Sequence, residues 1–282
     1  MSILKHIFSY EIDKEYKKIK ILGIKFRMRY APKVEFKVNK RLTETLQLES
    51  LRTYHSKAFP QFKNINDGKD VVIVATGPTL AKYKPIKGAV NIGLNRAYQY
   101  DKVKLDYLFA QDGTATKTYI DEIDKLDDVI KFYGLSLFNE NYREGVRIPE
   151  YHLKSKNSYR YYLYNYNNLE INSNLEAYPL FSHASVSIPA IHFALYTHPK
   201  RIYLVGCDCS DAPYWDGGKR EEDYLVQANK VNNLILDGYV RLKEFAEIYY
   251  PDVEIISVNP VGLKGLFADI YMDGEECIYS KN

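Results

Sequence analysis

A chain of 282 residues, 46% of them apolar and 14% aromatic, is long enough for one large α/β domain with an appendage. Its net charge of +3 is unevenly spread: residues 1–41 carry twelve Lys/Arg against four Asp/Glu, which leaves the remainder net acidic. No apolar run nears the roughly 20 residues of a membrane span, Lys5, His6 and Glu11 interrupt any leader core, and three cysteines make no disulfide framework, so the expectation is a cytoplasmic protein.

The basic stretch comes first. Lys17, Lys18, Lys20, Lys25, Arg27, Arg29 and Lys33 interleave with Ile19, Ile21, Leu22, Ile24, Phe26, Met28 and Tyr30 around Gly23, as in a strand or hairpin with one basic face. Such an arm suits peripheral contact with anionic lipid on the inner face of the membrane, or a solvated edge strand. It lacks the context of a nucleic-acid motif. Leu42–His55 has helical spacing, and residues 1–66 are grouped as arm and helix, with residues 67–282 forming the main domain.

Val71–Val74 reads as a strand covered on both faces and stops at Ala75-Thr-Gly-Pro-Thr-Leu80. Gly77 permits close backbone approach or a positive φ, Pro78 fixes the next φ, and the hydroxyls of Thr76 and Thr79 suit an anion. Further strands follow at Gly88–Asn95, Leu105–Gln111 and Val129–Tyr133, with a helix over Thr114–Leu126. The Asn- and Tyr-rich stretch from Phe138 to Tyr178 is the place for a lid inserted at about 138–180. Ser182, His183 and Ser185 precede an apolar helix ending at Tyr196. Arg201–Gly206 is a strand running into Cys207-Asp-Cys-Ser210, and a helix over Tyr224–Tyr249 leads to a strand at Glu254–Val258 and the turn Asn259-Pro260.

This alternation specifies an α/β, Rossmann-like, mostly parallel sheet with helices on both faces. Ligands bind such sheets beyond the carboxyl ends of the strands, where Thr76, Asn95, Gln111, Ser210 and Asn259 fall. Cys207 and Cys209 form a C-x-C without zinc spacing, so buried packing is expected and no metal is assigned. The many tyrosines between Tyr159 and Tyr166 suit either a sugar site or a packed core.

Ala75–Leu80, Asn95, Phe109-Ala-Gln111, Ser182-His-Ala-Ser185 and Arg201–Asp208 together resemble, in order and spacing, the bacterial sialyltransferases of glycosyltransferase family 42 and the related Maf-type and pterin-pyrophosphokinase-like domains. The resemblance spans about residues 69–270. It implies a metal-independent transferase of bacterial surface polysaccharide that uses a CMP-linked acidic sugar, takes a glycan acceptor, needs no cofactor beyond that donor and forms a homo-oligomer. By the same resemblance, Thr76, Gly77, Pro78 and Thr79 approach the nucleotide phosphate. Asn95 and Gln111 contact nucleotide and donor sugar, Ser182, His183 and Ser185 hold cytidine or carboxylate, Asp208 belongs to the strand-end G-x-D, and Asn259 lies near the cytosine.

The chain departs from that pattern in two places. Where the family has two tyrosines after G-x-D, the first position is Ser210 and Tyr214 is left for the second; the family base has no counterpart because no histidine follows His198. An inverting transfer needs a base and an anion clamp. Asp112 at a strand end, Asp208, Asp211, Asp216 and His183 before the helix are the candidate bases, Tyr214 the candidate at the leaving phosphate, and Arg96 or Lys230 a further cation. A nucleotide-sugar-binding protein without catalysis and a Mg²⁺-dependent diphosphokinase are the alternatives, and the latter finds few carboxylates beyond Asp208, Asp211 and Asp216.

Overall fold

A computed structural model describes residues 8–13, 16–21, 24–29, 33–111, 113–136, 156–163, 170–220, 222–273 and 276–280. Its contacts divide the chain between Ser50 and Leu51.

In the smaller unit β1 (Phe8–Asp13), β2 (Tyr16–Ile21) and β3 (Ile24–Arg29) form an antiparallel sheet in that order. Glu11 is paired with Lys18 and Lys18 with Arg27, while Lys20 is opposite Lys25 and Tyr16 opposite Arg29. Residues directly opposite in an antiparallel pair share a register set, so Lys18, Lys20, Lys25, Arg27 and Arg29 group with Glu11, Asp13 and Tyr16, while Lys17 groups with Phe8, Tyr10, Ile12, Ile19, Ile21, Ile24, Phe26 and Met28. Five of the seven expected basic residues therefore share one register set, Lys17 and the helical Lys33 do not, and the sheet has one more strand than a hairpin. Helix α1 (Lys33–Ala58) begins well before the expected Leu42; in its first turns the apolar residues Val34, Phe36 and Val38 alternate with polar ones and are β-branched or aromatic, which imitates a strand.

The larger unit is a nine-stranded sheet. In chain order its strands are β4 (Asp70–Val74), β5 (Val90–Leu94), β6 (Tyr107–Ala110), β7 (Ile130–Ser136), β8 (Ser158–Leu163), β9 (Arg201–Val205), β10 (Glu254–Val258), β11 (Ala268–Asp273) and β12 (Glu276–Ser280). They lie in the order β12-β11-β10-β9-β4-β5-β6-β7-β8, and every pair is parallel except β11 with β12. The segment β6-β5-β4-β9-β10-β11 is the Rossmann order 3-2-1-4-5-6, extended at both edges.

Alternation along each strand feeds two cores. Val71, Ile73, Phe109, Phe132 and Leu204 face one layer, formed by the end of α1, helix α3 (Ser187–Tyr196) and helix α4 (Glu222–Tyr249). Val72, Val74, Leu108, Val205 and Ile256 face the other, with the short helical turn Pro78–Lys82 and helix α2 (Gly113–Asp124). The expected helices on both faces are thus observed. Arg201 joins the central strands at their starts, its Nε and Nη2 donating to the two oxygens of Asp70 at 2.7 and 2.8 Å.

Two expectations about boundaries change. Residues 51–66, grouped by sequence with the arm, belong to the sheet unit because Leu51, Phe59 and Phe62 are buried in its core. The region 138–180 is not all lid: β8 lies within it, and Leu163 bridges Leu180. Within that region 138–155 and 164–169 lie outside the described residues. The tyrosines of β8 pack, with Tyr159 stacked on Phe132 at 5.5 Å and Tyr161 at 5.1 Å from Phe109.

Two buried histidines fasten this edge. Tyr162 donates its N–H to Nε2 of His55, so Nδ1–H of His55 donates to the Leu175 carbonyl at 2.8 Å. Phe181 likewise donates to Nδ1 of His192, leaving Nε2–H for the Asn172 carbonyl at 2.9 Å. Both rings are neutral, and burial lowers each pKa from 6.5 to about 4. A folded pKa below the unfolded one means that the unfolded chain takes up protons first, so stability is intact above pH 6.5 and lost as pH falls toward 4. Each histidine contributes a slope of up to about 1.4 kcal/mol per pH unit inside that window. Urea unfolding at pH 7 and pH 5 is expected to show a midpoint that drops with acid. Substituting His192 by a residue that cannot titrate should flatten the pH dependence.

Candidate functional site

The chain runs outward from β4 to β8, returns through α3 and resumes at β9 on the other side of β4. The order therefore reverses between β4 and β9, and loops leaving those strands diverge and open a crevice. A cavity of about 380 Å³ lies there. Ala75, Thr76 and Gly77 line it after β4, Leu94, Asn95 and Arg96 after β5, and Gly206 to Ser210 after β9. Ala184 to Ser187 at the start of α3, Tyr214 and Arg220 from the next loop, and Asn232, Ile235 and Tyr239 of α4 complete the wall.

The strand-end turn performs a different task from the expected phosphate cradle. Gly77 is extended, with φ −71° and ψ 163°, so the close approach applies and the positive φ does not. What approaches is the loop after β9: Gly77 donates its N–H to the Gly206 carbonyl at 2.9 Å, and a Cβ on Gly77 would sit 2.3 Å from Oδ2 of Asp208. Thr79 donates its N–H to Asp208 Oδ2 at 2.9 Å and its hydroxyl to Oδ1. Ala75 and Leu80 spend their N–H groups on Val205 and Gly77. The amides of Ala75, Gly77, Thr79 and Leu80 are committed inside the protein, and the turn is a clasp between two loops, with Pro78 opening its helical turn. Burial raises the Asp208 pKa, while the Thr79 bonds and the Arg220 charge pull it down. With both oxygens taken, Asp208 is an anchor.

The walls that face the cavity carry the polar chemistry. Arg96 stacks against Tyr214 and Trp215, its guanidinium 5.1 and 5.5 Å from their ring centroids, and Arg220 lies 4.4 Å from the Tyr214 ring on its own account. Tyr214 therefore orders two cations at the cavity. Opposite in the chain, at α3, Ser187 donates its N–H to Ser185 Oγ, whose hydroxyl lies 2.8 Å from that of Ser187; Tyr239 in turn donates to Ser187. Burial pushes the Tyr239 phenol well up, so it stays a donor. Ala184 and Cys209, both lining residues, hold φ of 58° and 46°. Side chains with a Cβ are strained there, and such strain clusters at functional sites. Burial raises the Cys207 and Cys209 thiols to about 12 and about 11, which makes them packing groups as expected.

Of the other expected site residues, Asn95 reaches the cavity and accepts the Gln111 N–H on Oδ1 at 3.3 Å. Gln111 and Ser182 do not line the cavity and hold one another at 3.4 Å. His183 also misses the cavity. Its ring, 5% exposed, is parallel to Phe181 and turned to α4, with Nε2 3.2 Å from Oδ2 of Asp237. Burial lowers its pKa against the pull of Asp237. The turn after Ser182 packs on Gly238, where a Cβ would meet that of His183 at 2.9 Å, and this directs the ring away. Asn259 lines a separate hollow of about 270 Å³ with Thr79 and Tyr271. Asp112 lies outside the described residues. Arg220 was not foreseen, since a lone cation in a charged loop has no local signature. Among the described residues no group of three or more His, Cys, Asp or Glu is placed to hold a metal ion, and no helix is long and apolar enough to cross a membrane.

No family model and no curated protein matches the sequence. Among solved structures, the chain is similar to the sialyltransferase CstII of Campylobacter jejuni in complex with the substrate analogue CMP-3FNeuAc. Identity is 14%, with 76% of this chain and 92% of that one covered and a TM-score of 0.41. CstII with a trisaccharide acceptor and CMP gives 14% identity, the same coverage and a TM-score of 0.42. The monofunctional α-2,3-sialyltransferase Cst-I of the same organism gives 18%, 67% and 75%, with a TM-score of 0.41. At that level of likeness, what the cavity binds has to be read from its own residues.

Proposed function

We propose that the chain is a glycosyltransferase that moves an acidic sugar from a CMP-sugar donor to a glycan acceptor of the bacterial surface, without a metal ion. The supporting observation is a switch-point cavity with two guanidinium groups, Arg96 and Arg220, and a serine-lined helix start, Ser185 and Ser187. Phosphate is recognised by this combination: Arg supplies paired donors with a permanent charge, and a helix N-terminus favours an anion. The identity of the nucleotide comes from the motif resemblance to family 42.

In this reading the acceptor hydroxyl oxygen forms the new bond to the anomeric carbon as the bond from that carbon to the phosphate oxygen breaks. The departing CMP carries away the bonding electrons, and Arg96 and Arg220 neutralise the charge that develops on its phosphate. The acceptor proton passes to a base, and Asp112, two residues past the end of β6 in sequence, is assigned that role. Replacing Asp112 by Asn should lower turnover while leaving CMP affinity unchanged; a matched loss of both would remove the assignment.

The decisive experiment is a thermal-shift screen of CMP, CDP, UMP, UDP, GDP and ADP, each with EDTA or Mg²⁺, followed by an assay of CMP release. A native-state ligand raises the melting temperature with occupancy. Selective stabilisation by CMP in EDTA, with acceptor-dependent release, is the expected result. A response only with Mg²⁺ points instead to a diphosphokinase, and binding without release to a non-catalytic protein. The basic sheet face of β2 and β3 is assigned to anionic membrane at the inner surface, and the full chain should co-sediment with phosphatidylserine vesicles at low salt and be released at high salt. Pelleting that ignores salt would return the arm to a structural role.

A further inference from the structure

We propose that Asp216 is an internal competitor for the anion this cavity binds, its carboxylate occupying Arg96 until the ligand's phosphate replaces it. The inference rests on reading the cavity as a phosphate site. Arg96 Nη2 lies 2.9 Å from Oδ2 of Asp216, a partner 120 residues away, and the two side chains are 21% and 36% exposed. Arg96 lines the cavity and Asp216 does not.

Arg96 has supports that do not depend on that carboxylate. Its Nε donates to Gln99 Oε1 at 3.2 Å, and its guanidinium stands 5.5, 5.1 and 5.5 Å from the ring centroids of Tyr119, Tyr214 and Trp215. The loop carrying Asp216 is likewise tied elsewhere. Trp215 donates its N–H to the Thr76 carbonyl at 3.3 Å, Tyr214 to the Gly218 carbonyl at 2.9 Å and Gly217 to the Tyr214 carbonyl at 3.0 Å, whereas the Gly218 N–H, 2.9 Å from Oδ1, uses the carboxylate itself and keeps an acceptor in Asp216→Asn. Removing the ion pair leaves both partners placed.

The guanidinium therefore faces two anion positions from one fixed stack: Asp216 outside the cavity and a ligand within it. A carboxylate and a phosphate oxygen compete for the same planar set of donors. A partly exposed pair is a weak tie, which lets a phosphate of higher charge displace it. Asp216 then lowers the affinity for simple anions and leaves selection to ligands that also engage the rest of the wall.

The test is isothermal calorimetry of the full chain, wild type against Asp216→Asn, Asp216→Ser and Asp216→Glu, titrated with CMP and separately with inorganic pyrophosphate. Without the competitor, the Asn and Ser variants are expected to bind about two- to five-fold more tightly, the range set by a partly exposed ion pair, while Glu keeps the wild-type affinity. The donor KM should fall by the same factor. A merely structural Asp216 gives the opposite sign, because loss of loop order weakens binding; unchanged or weaker binding overturns the inference. If CMP binds no variant while pyrophosphate shows the gain, the nucleotide reading falls and the competitor stands. If CMP binds wild type and variants equally, the competitor falls and the nucleotide reading stands; no binding of either probe overturns both.

Discussion

Gly77→Val is expected to lower the melting temperature by roughly 10 °C, corresponding to about 3 kcal/mol for a domain of this size. The cause is steric and has no easy relief. An added Cβ would stand 2.3 Å from Oδ2 of Asp208 and 2.5 Å from the Gly206 carbonyl oxygen. The first is pinned by the Thr79 N–H, and the second is backbone that already accepts the Gly77 N–H. Either the two loops separate, breaking these bonds beside a buried carboxylate, or the strand ends move apart. Thermal unfolding monitored by circular dichroism measures the effect. A variant with wild-type stability that fails to bind CMP would mean instead that Gly77 approaches the ligand and that the clasp is unimportant.

Arg220→Met combined with Arg96→Met is expected to reduce kcat/KM for the proposed transfer by at least about 100-fold, the usual cost of removing groups aimed at developing charge. Methionine keeps much of the volume against Tyr214, so the loss reports on charge more than on packing. Each single variant should show part of the effect. The melting temperature should change far less than in Gly77→Val, since both arginines are partly exposed and stack on rings that remain. A double variant with full turnover would remove the anion clamp from the mechanism.

The central strands were legible because each is buried on both faces. Val71–Val74 and Ile202–Val205 are apolar runs, and Ile255–Val258 is interrupted only by the buried Ser257, so none has an exposed side to imitate a helix stripe. Strand β8 was missed because Ser-Tyr-Arg-Tyr-Tyr-Leu carries its apolar surface on aromatic rings with polar ends, inside a stretch that looks irregular. Strands β11 and β12 follow Asn259-Pro260 and alternate with Asp and Glu at an edge, a weak pattern. Among site residues, the wall positions Thr76, Asn95, Ser185, Asp208, Ser210 and Tyr214 were legible from their places at strand ends, at a helix start or beside G-x-D. Gln111, Ser182 and His183 had the same local signature, and they do not line the cavity.

The sequence by itself determined the inner strands β4, β5, β6, β7, β9 and β10, their parallel order of alternation with helices, and the edge of the sheet where the cavity opens. These follow from local periodicity and from where apolar runs end, which neighbouring residues encode. Only the tertiary structure decided that the Gly77 turn closes on Asp208, that His183 turns to Asp237 on α4, and that Arg96 meets Asp216 and shares the Tyr214 ring with Arg220. Each of these links elements far apart in the chain. Their geometry is set by the return through α3 and the reversal of strand order between β4 and β9, so the direction of a side chain there depends on packing partners that no local pattern contains.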